Sequence, residues 1–413
     1  MEKVDGDFFI LPDKTVPLVE PSLALKEWIK MKFLNSLKNK KLSKEVCLLR
    51  VDFNVENEDL ERWQKNHKNI PFRIQAVLPT IKFLVNRGAR VVILSHRGRP
   101  KPAKLVNYKK FSLKPFAKII SKLVKRPVQF IDFNLGTSDV QKLTSILRTS
   151  DVLKIFLLEN LRFFDGEEKN DSAFAKKLAS LGTFYVNDAF AVSHRKNASV
   201  AAITKYLPSY IGLQFEKEIK NLKIVMKKPK KPLAIIIGGA KISDKLGLIK
   251  NFSTGADYFL LGGGIANTFI AALGTPMKGS LYEEEMIPEA KKILKTMPKK
   301  IFLPIDFLIN KNRFLDIGPK TINFYNKKIQ AAKTIIWNGP MGKFEDRRFA
   351  KGTEKIAKTI FKNKKAKTVI GGGETIASLP LKPNVFLSTG GGAMLEFLAG
   401  KKLPGIEALR NKK

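Results

Sequence analysis

Four short apolar runs in the second half of the chain each lead straight into glycine. They are Ile235-Ile-Ile-Gly-Gly-Ala-Lys241, Phe259-Leu-Leu-Gly-Gly-Gly-Ile265, Val369-Ile-Gly-Gly-Gly-Glu-Thr375 and Phe386-Leu-Ser-Thr-Gly-Gly-Gly-Ala393. A strand that ends in a glycine turn and feeds a helix exposes backbone N–H groups at the positive end of the helix dipole, which suits phosphate. A Cβ would block close approach of a ligand and forbid the positive φ of such a turn. One loop of this kind is an ordinary turn. Four in succession restrict this half to an open α/β sheet whose strand ends face a nucleotide or polyphosphate.

The rest of the chain alternates in the same way. Apolar strands are expected at residues 46–51, 91–94, 155–158 and 184–186, then at 233–237, 258–261, 301–303, 334–337, 368–370 and 385–387. They lack polar alternation, as strands do when helices cover both sheet faces. Ile74, Val77, Leu78, Ile81, Leu84 and Val85 recur at one-face helical spacing, and residues 111–124 read as a second helix. The polar stretch 56–69 reads as a connection, with His67 facing solvent. A helix-like stretch at 214–225 runs into Lys227-Lys-Pro-Lys-Lys-Pro232, a suitable boundary. At 413 residues the chain exceeds what one core serves, so two parallel sheets with flanking helices are expected. Residues 1–43 read as an extension with a helical piece near 25–37.

Composition excludes several classes. The single cysteine, Cys47, rules out an intrachain disulfide and a multi-cysteine metal site, and its apolar neighbours mark it as a core residue in a reducing cytoplasm. Apolar runs fall well short of the ~20 residues of a membrane-spanning helix, and the N-terminus has no signal-like core, so a soluble cytoplasmic protein is expected. The net charge of +39 comes from 76 basic and 37 acidic residues. Its lysines are scattered over many short segments without a zinc finger, a helix-turn-helix or an aromatic-interleaved stripe, which favours a solvated surface over a nucleic-acid interface.

The first half holds a different chemistry at its strand ends: Arg50-Val-Asp-Phe-Asn54, Ser95-His-Arg-Gly-Arg-Pro100, Glu159-Asn-Leu-Arg-Phe163 and Asn187-Asp-Ala-Phe-Ala-Val-Ser-His-Arg195. If the sheet gathers them, Arg73, Arg99, Arg162, Arg195, His96 and His194 form a cationic cluster for a small polyanion, since guanidinium binds carboxylate and phosphate bidentately. The histidines serve there as neutral or charged donors. In the second half Lys241 and Lys245, four apart at an expected helix start, can reach a phosphate chain.

Together these motifs resemble phosphoglycerate kinases over about residues 44–410. The resemblance rests on Arg50-Val-Asp-Phe-Asn-Val55, Arg73-Ile-Gln-Ala-Val-Leu-Pro-Thr-Ile81, the Ser95 to Pro100 turn, Leu158-Glu-Asn-Leu-Arg-Phe163, the Asn187 to Arg195 turn, Gly238-Gly-Ala-Lys-Ile-Ser-Asp-Lys245, Trp337-Asn-Gly-Pro-Met-Gly342 and the Ser388 to Ala393 loop, in that order. It implies two Rossmann-like domains, each a parallel sheet flanked by helices, joined by a hinge helix. Residues 1–211 would bind phosphoglycerate, 212–228 form the interdomain helix, 229–395 bind nucleotide, and 396–413 pack back on the first domain. The implied reaction is reversible phosphoryl transfer between 1,3-bisphosphoglycerate and ADP, giving 3-phosphoglycerate and Mg-ATP, by a glycolytic monomer that closes about its hinge.

By motif match, Asp52, Asn54, Arg73, His96, Arg99, Arg162 and Arg195 would hold the phosphoglycerate. Gly238, Gly239, Lys241, Lys245, Gly263, Gly264, Asn338, Glu345, Gly371, Gly372, Gly373, Glu374 and Thr375 would hold the nucleotide, with Glu345 at the ribose and Glu374 at magnesium. Thr389, Gly390, Gly391 and Gly392 would form a transition-state loop, and Arg73 and Lys241 are the implied catalytic cations. Against the family pattern, Glu374 replaces aspartate, Arg97 an apolar residue, Ala191 a glycine and Asn197 a histidine, and the stretch between Asn54 and Arg73 is longer. Two other classes compete: a non-catalytic anion or nucleic-acid binder, and a nicotinamide-dependent dehydrogenase. The second lacks a Gly-x-Gly-x-x-Gly spacing with its ribose-binding acid.

Overall fold

The structure, a computed structural model, describes residues 31–410 apart from 67–69, 101–107, 133–136, 150–154, 378 and 380–383. His67 and residues 25–30 of the expected helix at 25–37 lie outside the described residues. Within that expected helix, Leu34–Leu37 is a 3-10 turn that buries Leu34 and Leu37.

The first sheet contains β1 (Val46–Arg50), β2 (Arg90–Leu94), β3 (Val128–Ile131), β4 (Ile155–Leu158), β5 (Phe184–Asn187) and β6 (Ser209–Ile211). The second draws on β7 (Leu233–Ile237), β8 (Tyr258–Leu261) and β9 (Ile301–Phe302). After a separate antiparallel hairpin of β10 (Phe307–Asn310) and β11 (Arg313–Ile317), it is completed by β12 (Thr334–Asn338), β13 (Lys367–Gly371) and β14 (Val385–Leu387). The orders are β3-β4-β2-β1-β5-β6 and β14-β13-β12-β7-β8-β9, and the pairings within both sheets are parallel. In β1, β4, β5, β7 and β12 every residue is buried, which is why these strands carry no polar alternation. The order reverses between β1 and β5 in one sheet and between β7 and β12 in the other. Open α/β sheets hold ligands in the crevice at such a reversal.

Four features depart from the sequence expectation. β3 and β6 are edge strands, short and half-buried, and Gln129 and Ser209 dilute their apolar signal. The β10–β11 hairpin turns on Lys311 and Asn312, both at positive φ, without the glycine that usually announces such a turn. Within the polar stretch 56–69 lies a helix, Asn57–Asn66, whose Leu60 and Trp63 pack into the first apolar core. The helix expected at 111–124 is instead Lys114–Val124, preceded by a separate turn, Tyr108–Phe111.

The helix Leu213–Lys227 connects the sheets in sequence and buries Phe215, Ile219, Leu222 and Val225. One apolar cluster runs from Leu48 and Tyr185 of the first sheet, through this helix, to Leu233, Val369 and Met394 of the second half. Phe190 sits edge-on to both Phe215 and Phe397, at 5.3 and 6.0 Å between centroids. Residues beyond 403 return to the first half: the Gly405 amide donates to the Ser193 carbonyl at 2.8 Å, and Met31 bridges Arg410.

The connecting helix begins on Asp188, whose carboxylate accepts the Phe215 amide at 2.9 Å. Burial pushes that carboxyl up to about 7, although its hydrogen bonds oppose the shift. In the unfolded chain it ionises near ~4. Between about pH 4 and 7 the unfolded state therefore loses the proton first, and this group makes stability fall as pH rises. In Asp188→Asn, which keeps an acceptor for Phe215, that component of the fall in denaturant-unfolding stability over this range should vanish. Identical slopes for the two chains would contradict the assignment.

Candidate active site

At the carboxyl ends of β1, β2, β4 and β5 the turns converge on His96. Asp52, just past β1, accepts the Asn54 amide at 2.9 Å through Oδ1 and pairs through Oδ2 with Arg73, on the first turn of the helix Phe72–Asn86. The Asn54 carboxamide oxygen accepts the Gly98 amide at 2.8 Å. Ser95 ties the same two segments, taking the Phe53 amide and donating to the Val51 carbonyl, each at 2.9 Å. Arg162 donates to the Gly98 carbonyl and meets Glu168 at 3.2 Å; burial, then Arg195, draws its pKa down to about 10. Arg195 donates to His194 Nε2 at 3.2 Å. Arg99, one residue past Gly98, is exposed.

His96 is buried, and burial followed by the charges of Arg50, Arg162, Arg73 and Arg195 depresses its pKa well below the usual imidazole range. It is therefore neutral, and its 3.9 Å approach to Asp52 is not an ion pair. The tautomer follows from Arg50, which the sequence reading did not place among the site residues. An Arg50 terminal nitrogen lies 3.2 Å from His96 Nδ1, and guanidinium can only donate. Nδ1 must accept, so the ring proton sits on Nε2 as a donor. Arg50 is fixed in turn by Ser199 Oγ at 2.9 Å and the Val51 carbonyl, and Glu167 lies 3.9 Å away.

The second group forms at the ends of β7, β8, β12, β13 and β14. The Gly238 amide donates to the Asn338 carbonyl at 3.0 Å, and the Gly239 amide to the Pro340 carbonyl at 2.8 Å. Gly339, at φ 92°, packs so tightly on this turn that a Cβ there would lie 2.1 Å from the Gly238 oxygen. The Gly263 amide binds the Met341 carbonyl at 2.8 Å, and Gly264 lies against Ala240, so the loops support one another. Gly263, Gly373 and Gly392 each open a helix, respectively Gly263–Ala272, Gly373–Ala377 and Gly392–Leu398. The buried Thr375 accepts the Gly339 amide at 3.0 Å. A Cβ on Gly373 or Gly391 would meet open space.

Asn338 supplies the best sign of a ligand here. Its side-chain Nδ2 is buried and has no protein acceptor, close to Gly371 and Gly372. A buried donor left unpaired costs about 1–3 kcal/mol, and an anionic oxygen would satisfy it. Lys241, Glu345 and Glu374 are exposed around this cradle. Lys245 is largely enclosed, which lowers its pKa against the opposing pull of Asp244 and Glu374. The expected helix start at Lys241 is not formed. A 3-10 turn, Ser243–Lys245, precedes the helix Leu246–Asn251, so the two lysines do not share a helical face. Among the described residues no cluster of three His, Cys, Asp or Glu side chains can cage a metal. The lone carboxylate of Glu374 fits magnesium held mainly by phosphate oxygens and water.

The two groups come together at two points. The His194 ring lies beside Gly392, about which the loop after β14 turns, and Phe190 packs on Gly390. Phe72, next to Arg73, is partly buried against the apolar cluster of the second sheet.

The phosphoglycerate kinase family model matches residues 37–401. A phosphoglycerate kinase of Dictyoglomus turgidum is 40% identical over 407 residues, covering 92% of this chain and 99% of that protein. One from Thermosipho africanus is 42% identical over 395 residues, covering 89% and 95%. Among solved structures, phosphoglycerate kinase from Coxiella burnetii superposes with a TM-score of 0.74 at 34% identity, and that from Pyrococcus horikoshii with 0.78 at 31%. Each alignment covers 92% of this chain and 98% of the other.

The tautomer can be read directly. Nitrogen NMR of the protein labelled at histidine should show His96 neutral with its proton on Nε2 well below pH 6. A charged ring near pH 6, or a proton on Nδ1, would refute the arrangement.

Proposed function

The chain belongs to the phosphoglycerate kinase family and is an enzyme of that kind, and from this premise we propose how its own residues divide the reaction. Phosphoglycerate binds at the His96 basin through Asp52, Asn54, Arg73, His96, Arg99, Arg162 and Arg195. The nucleotide lies on the glycine turns of the second half, with Lys241, Lys245, Asn338, Glu345 and Thr375. The observation that carries this reading is the pair of complementary strand-end groups, one cationic and one built of glycine turns around an orphaned Asn338 donor, each at a reversal of strand order. Both halves occur in one chain, which supports a monomer. Residues 1–211, 229–395 and 396–413 are our proposed first domain, second domain and returning tail, with 212–228 between the domains.

In the ATP-forming direction a carboxylate leaves as the acyl phosphate gives up its phosphoryl group to ADP. In reverse the nucleophile is a carboxylate already ionised, so no general base is needed. A neutral His96 agrees with that demand: its Nε2–H can donate to an anion without competing for a proton. What the transferring group needs is fixed positive charge. Arg73 supplies it from the first half and Lys241 from the second, and Arg73 must leave Asp52 as substrate arrives. The backbone amides of Gly391 and Gly392 add donors from the loop beside His194. Glu374 would hold magnesium, which supplies charge neutralisation on the nucleotide phosphates. Closure about the connecting helix excludes water, so that transfer competes with hydrolysis.

Supplied with 3-phosphoglycerate and Mg-ATP in a coupled assay, the protein should turn over, and its absence would reject the reading. Arg73→Ala or Lys241→Ala should lower kcat by about 100-fold or more, the scale of losing one transition-state donor. Near-normal turnover in a folded variant would remove that residue from the assignment. Glu374→Asp should shift the magnesium concentration for half-maximal rate downward, and an unchanged requirement would show that the extra methylene has no effect at the metal.

A further inference from the structure

Arg97 is a buried cation with no role in the scheme above. Its side chain is 4% exposed, and its guanidinium lies 5.4 Å from the Phe116 ring. Nε donates to the Val55 carbonyl at 3.1 Å, and a terminal nitrogen donates to Asn57 Oδ1, on the first residue of the helix Asn57–Asn66. Glu56 and Glu58 favour its charge from nearby, against the cost of burial. A buried guanidinium is expensive unless its donors find acceptors, and here Nε and one terminal nitrogen find them on one short segment, at Val55 and Asn57.

The other side of residue 97 is equally fixed. Its amide donates to Asn160 Oδ1 at 3.2 Å, and Asn160 Nδ2 returns a bond to its carbonyl at 2.7 Å. The same Asn160 oxygen accepts the Arg162 amide at 3.1 Å. Arg97 thus couples the end of β4, through the turn after β2, to the segment that continues Asp52 and Asn54. Ser95 holds the near end of that segment, and Gly98 holds Asn54. Only Arg97 among these ties grips its far end, where the helix Asn57–Asn66 leaves toward the core on Leu60 and Trp63.

We infer that Arg97 is a positioning residue for the phosphoglycerate side of the site. It clamps residues 55–57 to the turn after β2, so that Asp52 and Asn54 present their side chains in binding geometry before substrate arrives. It touches no reacting atom. The inference rests on the substrate assignment made above and adds a determinant of affinity for that substrate alone.

Arg97→Leu should raise KM for 3-phosphoglycerate by about tenfold, or ~1.4 kcal/mol, leaving kcat and KM for Mg-ATP within about twofold, the signature of lost uniform binding. Asn57→Leu should move the same constant in the same direction. Asn57→Asp, which keeps an acceptor, should remain near the unaltered value. The pair Arg97→Leu with Asn57→Leu should be no worse than Arg97→Leu alone, because the two residues share one bond. Proportional losses in all three constants, additive effects, or an unchanged KM would each overturn the inference. Should Arg97→Leu fail to fold, the two Asn57 variants decide it by the same criterion. Calorimetric titration with 3-phosphoglycerate needs no turnover. A chain that is inactive yet loses 3-phosphoglycerate affinity with Arg97→Leu would sink the proposed reaction and keep this inference, whereas an active chain with unaffected affinity would do the reverse.

Discussion

One carboxylate holds the two halves in register. Glu218, on the connecting helix and fully buried, accepts the Ser388 hydroxyl at 2.7 Å, the Thr389 amide at 2.6 Å, the Thr389 hydroxyl at 2.8 Å and the Gln214 amide group at 3.1 Å. Burial raises its pKa while these bonds oppose the shift. The helix begins on Asp188 at the first sheet, and Glu218 pins its middle to the loop after β14. The head of the second sheet is therefore anchored to an element that starts at the head of the first. Those bonds reinforce the direct packing of the Gly390 to Gly392 loop on Phe190 and beside His194.

The electrostatics of the first half follow a related logic. Several cations converge on a pocket that holds few counter-charges, and the price is visible in the depressed pKa values of His96 and Arg162. The charge is stabilised locally by fixed acceptors: Ser199 and the Val51 carbonyl for Arg50, Asp52 for Arg73, and the Gly98 carbonyl with Glu168 for Arg162. Such a basin is preorganised for an anion, because the cost of gathering like charges is met when the chain folds rather than when ligand binds. The large surplus of lysine elsewhere is a separate matter, spread over exposed segments and surface helix faces.

Much of this was legible in the amino-acid sequence. A buried strand such as β7 is a continuous apolar run, and the glycine turns of this half announce the second site because few other residues can adopt φ near that of Gly239 or Gly339. The motifs around Asp52, His96, Arg162 and Arg195 pointed to a cationic cluster, and the strand order gathers most of them. What escaped was tertiary in origin. The helix Asn57–Asn66 is mostly polar in sequence, yet Leu60 and Trp63 pack it into the core and an Arg97 bond reaches its first residue. Arg50 stood in a recognised motif, but its grip on His96 Nδ1 depends on two strands lying side by side. Lys241 and Lys245 carried an i,i+4 spacing that the chain does not use, since the glycine loop continues into a 3-10 turn before helix begins.

The return of residues 404–410 to the first half has a consequence for how the molecule is made. Gly405 binds Ser193, and Arg410 bridges Met31. On the ribosome, the first sheet emerges complete in its strands long before the segment that seals it has been synthesised. The early half must wait, partly uncovered around Val200, until residues 404–410 have been made. Ordering of that half is thereby coupled to the arrival of residues 404–410, and a nascent chain halted before position 404 would present an unsealed apolar seam to chaperones.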